Sequence, residues 1–218
     1  MASNKHTDIL VLGSGPGGYA AAFRAADLGR DVVLVDKDPT LGGVCLNRGC
    51  IPSKTLLHIS KVLEEANSLK NMGVTFTKPK IDIDAVRAWK SKVVSQLSGG
   101  IAQMAKARKV TTIQAEATFL SDKEVQLKTN SKKETITFDH CVIAIGSSSS
   151  IIPGIPMDNK DVLTSKTALE LSRIPKNLLV IGGGYIGLEM GTVFSALGST
   201  VSLSLIQSDA ADEEDSVD

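Results

Sequence analysis

The clearest chemistry in this 218-residue chain is a pair of thiols: Cys45 and Cys50 stand five apart in the run Cys45-Leu-Asn-Arg-Gly-Cys50, followed by Ile-Pro-Ser-Lys54. Two thiols so placed can exchange with a disulfide, share a metal, or lie inert in a core. In an ideal helix residues five apart have Cα atoms roughly 8–9 Å apart, whereas a disulfide asks for about 4.4–6.8 Å. A bond between them therefore needs a distorted turn of the kind that Gly49 permits. The polar start of the chain carries no apolar signal core, so the protein is read as unsecreted and cytoplasmic, and a disulfide in this loop as a redox group rather than a staple. Zinc asks for four ligands at short spacings; beyond the pair the chain offers Cys141, His6, His58 and His140, none in a paired spacing, and no metal site is expected. Cys141 lies in an apolar strand and reads as core; His58 reads as packed or solvated. Lys54 lies one helical turn after Cys50, so both can face one site.

Around these residues the glycines fall into groups. Gly13, Gly15 and Gly18 form G-x-G-x-x-G between an apolar run, Ile9 to Leu12, and an alanine-rich helical stretch from Gly17 to Leu28. A second run, Val32 to Val35, completes a βαβ unit closed by Asp36, 23 residues after Gly13. The first glycine permits the turn, the second lets backbone approach a pyrophosphate, and the third lets helix and strand close up; Asp36 is placed to accept a ribose hydroxyl. Near Leu178 the pattern repeats: strand Leu178 to Ile181, glycines Gly182, Gly184 and Gly187, a helix to about Leu197, and a strand Val201 to Ile206. Here the residues at the end of the second strand are Ser204, Leu205 and Ile206, with no Asp, Glu or Arg to choose between NAD and its 2′-phosphorylated form. Two nucleotide sites are expected, the second incomplete.

Between the two units, residues from Ser53 to about Lys70 read as a helix with Leu56, Leu57, Ser60, Leu63 and Ala66 on one face. A second helix begins near Asp84, with Trp89, Val93, Leu97, Ile101 and Met104 as its packing stripe and Gly99 and Gly100 as a point where it bends or breaks. From Thr111 to Gly146 the period changes to two, and Val125, Leu127, Ile136 and Phe138 mark an antiparallel meander ending in the run Cys141 to Ile145. The fold class expected is α/β: a Rossmann-like domain with a β-meander over residues 1–150, a connection at 151–177, the start of a second Rossmann-like domain at 178–206, and an acidic, disordered tail at 207–218. Lys and Arg number 24 against 24 Asp and Glu, so the net charge is zero and nucleic acid is not an expected partner. No apolar stretch approaches the roughly 18 residues of a membrane span, and with aromatic residues at 4% the core must be aliphatic.

The runs G-S-G-P-G-G-Y from Gly13, G-G-V-C-L-N-R-G-C-I-P-S-K at 42–54, A-I-G-S at 144–147 and G-G-G-Y-I-G-L-E at 182–189 resemble the pyridine nucleotide-disulfide oxidoreductases. Within that family C-L-N-x-G-C-I-P-S-K is most similar to the dihydrolipoamide dehydrogenases, whereas glutathione and mercuric reductases carry C-V-N-x-G-C-V-P. The resemblance runs from about Thr7 to Val201. It implies FAD at Gly13, Ser14, Gly15, Pro16, Gly17 and Gly18, with Asp36 on the adenosine ribose beside Lys37. Gly42, Gly43 and Val44 would lie under the pyrophosphate, Lys54 near the flavin, Ala117 against the adenine, and Gly146 and Ser147 at the cofactor. It further implies that Cys45 exchanges with dihydrolipoamide sulfur, that Cys50 faces the flavin, and that Glu189 pairs with Lys54. NAD would be received by Gly182, Gly183, Gly184, Tyr185, Ile186 and Gly187. Electrons would run from dithiol to disulfide, to FAD, to NAD⁺. The implied partners are lipoyl-bearing proteins of 2-oxo acid dehydrogenase or glycine cleavage complexes, in a homodimer. Family members run to more than twice this length, and their His-Glu base lies in a later domain. The chain alone is therefore expected to lack turnover, and the alternatives are a non-catalytic flavin-binding remnant or another family member such as a mercuric or glutathione reductase.

Overall fold

A computed structural model describes residues 5–129, 132–150 and 153–205. The expected acidic tail at 207–218 lies outside the described residues. The chain divides into two compact units, Met1–Pro52 with Ser91–Ser150, and Ser53–Lys90 with Ile151–Asp218. The segment 53–90 thus groups with the C-terminal part of the chain, and the unit boundaries fall within two helices.

The first unit is built on a six-stranded sheet. Its strands are β1 (Lys5–Leu12), β2 (Val32–Asp36), β3 (Thr111–Gln114), β4 (Glu116–Phe119), β5 (Glu124–Lys128) and β6 (Lys133–Ile143), in the order β3-β2-β1-β6-β5-β4. The β1-β2, β2-β3 and β1-β6 pairs are parallel, and β4-β5 and β5-β6 antiparallel. Two expectations are corrected. Thr111 to Gln114 is a parallel edge strand beside β2 rather than the start of the meander, which begins at β4. The run Cys141 to Ile145 is the far half of one long strand that ends at Ile143. Strand β6 serves both pairings because its first half faces β5 while Ile136 to Ile143 run alongside β1.

The continuous apolar runs are buried on both faces, as parallel strands under cover require. Leu10, Leu12, Val33 and Val35 cluster with Val125, Leu127, Ile136 and Phe138. On the opposite face Val11, Val32 and Leu34 meet Ala22 and Phe23 of α1 (Pro16–Asp27) and Ala105 of α4 (Ile83–Ala107). Helix α4 runs unbroken through Gly99 and Gly100, contrary to expectation. Its supposed packing stripe is also corrected: Trp89, Leu97 and Met104 are each about half exposed. Steps of four residues advance about 40° past a full turn, so the stripe winds around the helix, and only Ile101 and Ala105 reach the sheet.

The second unit holds most of α3 (Cys50–Ser68), a 3-10 turn at Leu69–Met72, α5 (Ser165–Glu170), α6 (Tyr185–Ala196) and the parallel pair β7 (Asn177–Ile181) and β8 (Thr200–Ser204). Its core joins Leu56 of α3 to Ala168, Leu169, Leu171, Met190, Val193 and Phe194. Leu56 and Ser60 are buried as the expected face of α3 requires, and Leu57 packs against the same core. The segment read as a connection contains α5, started by a capping box in which Thr164 and Thr167 bond each other reciprocally.

Candidate functional site

In the first unit the turn after β1 is closed by backbone. Gly13 takes φ +95°, its N–H donates to Val35 O at 2.7 Å, and a Cβ there would lie 2.2 Å from Ala144 O. A Cβ on Gly18 would lie 1.7 Å from Gly13 O, so α1 starts directly against the turn. Gly15 caps α1 without any side-chain acceptor, and Pro16 occupies the first turn, which leaves the remaining first-turn N–H groups pointing outward. Gly43 crosses close by: a Cβ on it would lie 2.6 Å from Gly15 Cα. The β1-β6 pairing carries Ala144 onto Leu12, with Ala144 N–H donating to Leu12 O at 2.8 Å. Gly146, at φ +67°, and Ser147 follow directly. Ala117 lies on β4 opposite Leu127, half-buried against the sheet core.

Asp36, the expected ribose acceptor, also braces this turn. Its Oδ2 accepts from both the N–H and the hydroxyl of fully buried Ser14, each at 2.6 Å, and its Oδ1 accepts from Asp38 N–H at 2.9 Å. Burial pushes the Asp36 carboxyl up, but the Ser14 and Asp38 hydrogen bonds and the Lys37 charge outweigh it and hold the group below the usual carboxylate range.

The cysteine run, expected as a loop before a helix at Ser53, is helical on both sides of one break. Cys45 lies in α2 (Gly43–Arg48) and Cys50 is the first residue of α3. Between them Gly49 leaves the helix at φ −144°, ψ −110°, and a Cβ there would lie 2.9 Å from Val44 O and 3.2 Å from Cys45 Cα. The distorted turn is therefore present, and it folds the chain before Cys50 back onto Cys45. All three cysteines are thiols in this structure. Cys141 packs against the sheet core, where burial raises its thiol above the usual value. Of the histidines weighed as ligands, His58 is exposed on α3, His140 is exposed on β6, and His6 on β1 gathers with Asp8 and Asp139.

Two residues that spacing alone did not single out hold this run. Asn47 Nδ2 donates to Leu41 O at 3.2 Å, and Arg48 pairs with Asp38 at 2.5 Å, tying the end of α2 to the loop after β2. Their signal was present as the two polar residues inside the cysteine run, whose partners lie too far along the chain to be read locally.

In the second unit Lys54 Nζ pairs with Glu189 Oε1 and Ser53 Oγ donates to Glu189 Oε2. The expected pairing of Glu189 with Lys54 is thus made, with Ser53 as an unanticipated third member. Slight burial pushes the Glu189 carboxyl up, but the Lys54 and Ser53 hydrogen bonds and the Lys54 charge bring it below the usual range. The second glycine turn repeats the first. Gly182, at φ +96°, donates to Ser204 O at 2.9 Å, and a Cβ on Gly187 would lie 2.5 Å from Gly182 O. Gly184 caps α6 without a side-chain acceptor; Tyr185 and Ile186 are exposed. A Cβ on Gly183 would lie 2.6 Å from Leu205 Cδ2. Among the described residues no helix is long and apolar enough to cross a membrane.

Two βαβ units, each turned by G-x-G-x-x-G, with a cysteine pair between two helices, define a Rossmann-like protein equipped for thiol chemistry. The chain belongs to the pyridine nucleotide-disulphide oxidoreductase family, whose model matches residues 7–214. It is 51% identical over 198 residues to a dihydrolipoyl dehydrogenase of Buchnera aphidicola from Acyrthosiphon pisum, covering 91% of this chain and 42% of that protein. It is 48% identical over 201 residues to that of Vibrio cholerae and 51% over 202 residues to that of Haemophilus influenzae, in each case covering 92% of this chain and 42% of the relative. The chain thus spans about two fifths of the length of these relatives. Among solved structures it is similar to the Cu(II) complex of a cysteine-to-serine mutant of the HOCl-induced flavoprotein disulfide reductase RclA from Escherichia coli. There the TM-score is 0.75 and the identity 26%, covering 92% of this chain and 42% of that one.

Proposed function

We propose that this chain carries the FAD turn and the redox-active cysteine pair of a flavoenzyme that oxidises dihydrolipoamide on a carrier protein and passes the electrons to NAD⁺. The observation that carries the reading is the break at Gly49, which brings the chain before Cys50 against Cys45 beside a turn built for a pyrophosphate. The residues present fit FAD in the first unit: the outward N–H groups of α1, the Gly15–Gly43 approach and the loop from Ala144 to Ser147 leave backbone, not side chains, around one edge of the turn. Gly13, Gly15 and Gly18 would hold the pyrophosphate, Asp36 the adenosine ribose, and Lys54, oriented by Glu189, would stand near the flavin. Bound there, FAD supplies two-electron acceptance from the dithiol and hydride delivery to NAD⁺. At the second turn the glycines fit a pyrophosphate, and among the described residues the position that corresponds to Asp36 is Leu205.

The chain's own part is thiol–disulfide exchange. With Cys45 and Cys50 joined, a substrate thiolate attacks Cys45 Sγ, the Cys45–Cys50 bond breaks, and Cys50 leaves as thiolate. The second substrate thiol then attacks the first substrate sulfur, freeing Cys45 and closing the lipoamide disulfide. Two electrons now rest on the cysteine pair. Over the full cycle dihydrolipoamide and NAD⁺ become lipoamide, NADH and one proton. Lipoyl-bearing proteins of 2-oxo acid dehydrogenase or glycine cleavage complexes are the partners this reading implies, with a homodimer in the cytoplasm as the working assembly.

The test is the visible spectrum of the purified chain with FAD, before and after anaerobic dihydrolipoamide. A bound flavin band that gives way to long-wavelength charge-transfer absorption is the expected result. Cys45→Ser should keep the flavin band and lose its response to dihydrolipoamide. A colourless protein refutes the FAD assignment, and a flavin band indifferent to dihydrolipoamide refutes the substrate.

A further inference from the structure

The two βαβ units correspond position by position along the chain. Gly13, Gly15 and Gly18 correspond to Gly182, Gly184 and Gly187 at the same spacing. Matching backbone bonds follow: Gly13 N–H to Val35 O and Gly182 N–H to Ser204 O, Tyr19 N–H to Gly15 O and Leu188 N–H to Gly184 O, Gly29 N–H to Ala26 O and Gly198 N–H to Ser195 O. On this correspondence Leu205, 23 residues after Gly182, stands where Asp36 stands 23 residues after Gly13, and Gly183 stands where Ser14 does. The chemistry at the pair is inverted. In the first unit a carboxylate grips Ser14. In the second an exposed leucine, about three-quarters accessible, lies over Gly183, with its Cδ2 where a side chain on that glycine would begin.

Phosphate recognition in such a turn uses backbone and helix N–H groups, all of which the second unit retains. Ribose recognition uses the residue at the end of the second strand: a carboxylate accepts the 2′-hydroxyl and repels a 2′-phosphate, and an arginine does the reverse. Leu205 does neither. We infer that the second turn binds the dinucleotide through its pyrophosphate without reading the adenosine ribose, so that it takes NADH and NADPH alike, Leu205 being the position that decides this. The inference rests on the second turn being a dinucleotide site, as proposed above.

The experiment titrates NADH and NADPH, by nicotinamide fluorescence, into the chain saturated with FAD so that the first turn is filled. The native chain should bind the two within about threefold of each other. Leu205→Glu should favour NADH, and Leu205→Arg NADPH, each by about tenfold, the size of one charge-assisted hydrogen bond. Gly187→Ala, whose Cβ would meet Gly182 O, should abolish binding of both and so assigns the signal to this turn. A native preference of tenfold or more, or a Leu205→Glu variant with an unchanged ratio, overturns the inference while leaving the turn a dinucleotide site. Failure of the native chain to bind either dinucleotide overturns the dinucleotide reading of the turn and the inference with it. Retention of FAD in the same sample tests the first unit separately.

Discussion

Replacing Asp36 by alanine tests whether the carboxylate is a structural brace of the first turn. Asp36 accepts three hydrogen bonds, two of them from Ser14, which is fully buried. Alanine leaves the Ser14 N–H and hydroxyl desolvated with no acceptor, at about 1–3 kcal/mol for each group. The third donor, Asp38 N–H, lies in a loop near water and adds little. The two Ser14 losses share one site and are not fully additive, so about 2–4 kcal/mol is expected. For a chain of this size 1 kcal/mol moves Tm by about 2–4 °C, giving a fall of about 4–16 °C in a thermal scan followed by far-UV circular dichroism. Acid supplies the internal control. The folded-state pKa of Asp36 lies below its ordinary value, so its contribution is complete above the unfolded value, about 3.9, and is lost as pH falls through the lower folded value. The gap between native and variant should therefore stay constant from neutral pH down to about 5 and narrow below about 4. A Tm shift under about 1 °C, or a gap that widens in acid, refutes the brace.

Two further perturbations separate close approach from mere glycine content and test a helix end. Gly18→Ala places a methyl 1.7 Å from Gly13 O, whereas at Gly99 on α4 nothing lies within 4 Å; Gly18→Ala should weaken FAD about five- to 150-fold, from about 1–3 kcal/mol of overpacking, and Gly99→Ala should leave it within about twofold, by equilibrium dialysis. Helix α4 ends in a Schellman motif, with Lys109 N–H on Lys106 O and Val110 N–H on Ala105 O, and Lys109 takes the left-handed conformation at φ 58° where α1 has Gly29. Lys109→Gly should stabilise the chain by about 0.5–1 kcal/mol, read as a higher urea midpoint at unchanged slope; a lower midpoint refutes it.

Much of this protein was legible one short window at a time. Both glycine turns, the helices after them and the ends of those helices near Leu28 and Leu197 depend on which residues tolerate positive φ and on which N–H groups a helix start exposes. Those rules act within a few residues. The distorted turn at Gly49 was likewise readable, because five residues of regular helix hold two cysteines too far apart for a bond. The direction of β3 was not: Thr111 to Gln114 carries no mark of whether it will join the meander or lie beside β2, and its choice rests on Val33 to Asp36, distant in sequence. Trp89 and Met104 read as core because an apolar spacing reports a face, whereas burial depends on where the sheet lies, and it is Ile101 and Ala105 of α4 that pack against it. Asn47, Arg48 and Ser53 acquired their work from Leu41, Asp38 and Glu189. Leu205 divides the two kinds of information: its type alone declared the missing charge, but its position over Gly183, opposite in character to Asp36 over Ser14, exists only once β8 pairs with β7. Backbone dihedrals and helix ends are set by near neighbours, and so sequence determines them. Pairing, burial and the reach of a side chain depend on residues brought together by folding, and only the tertiary structure decides those.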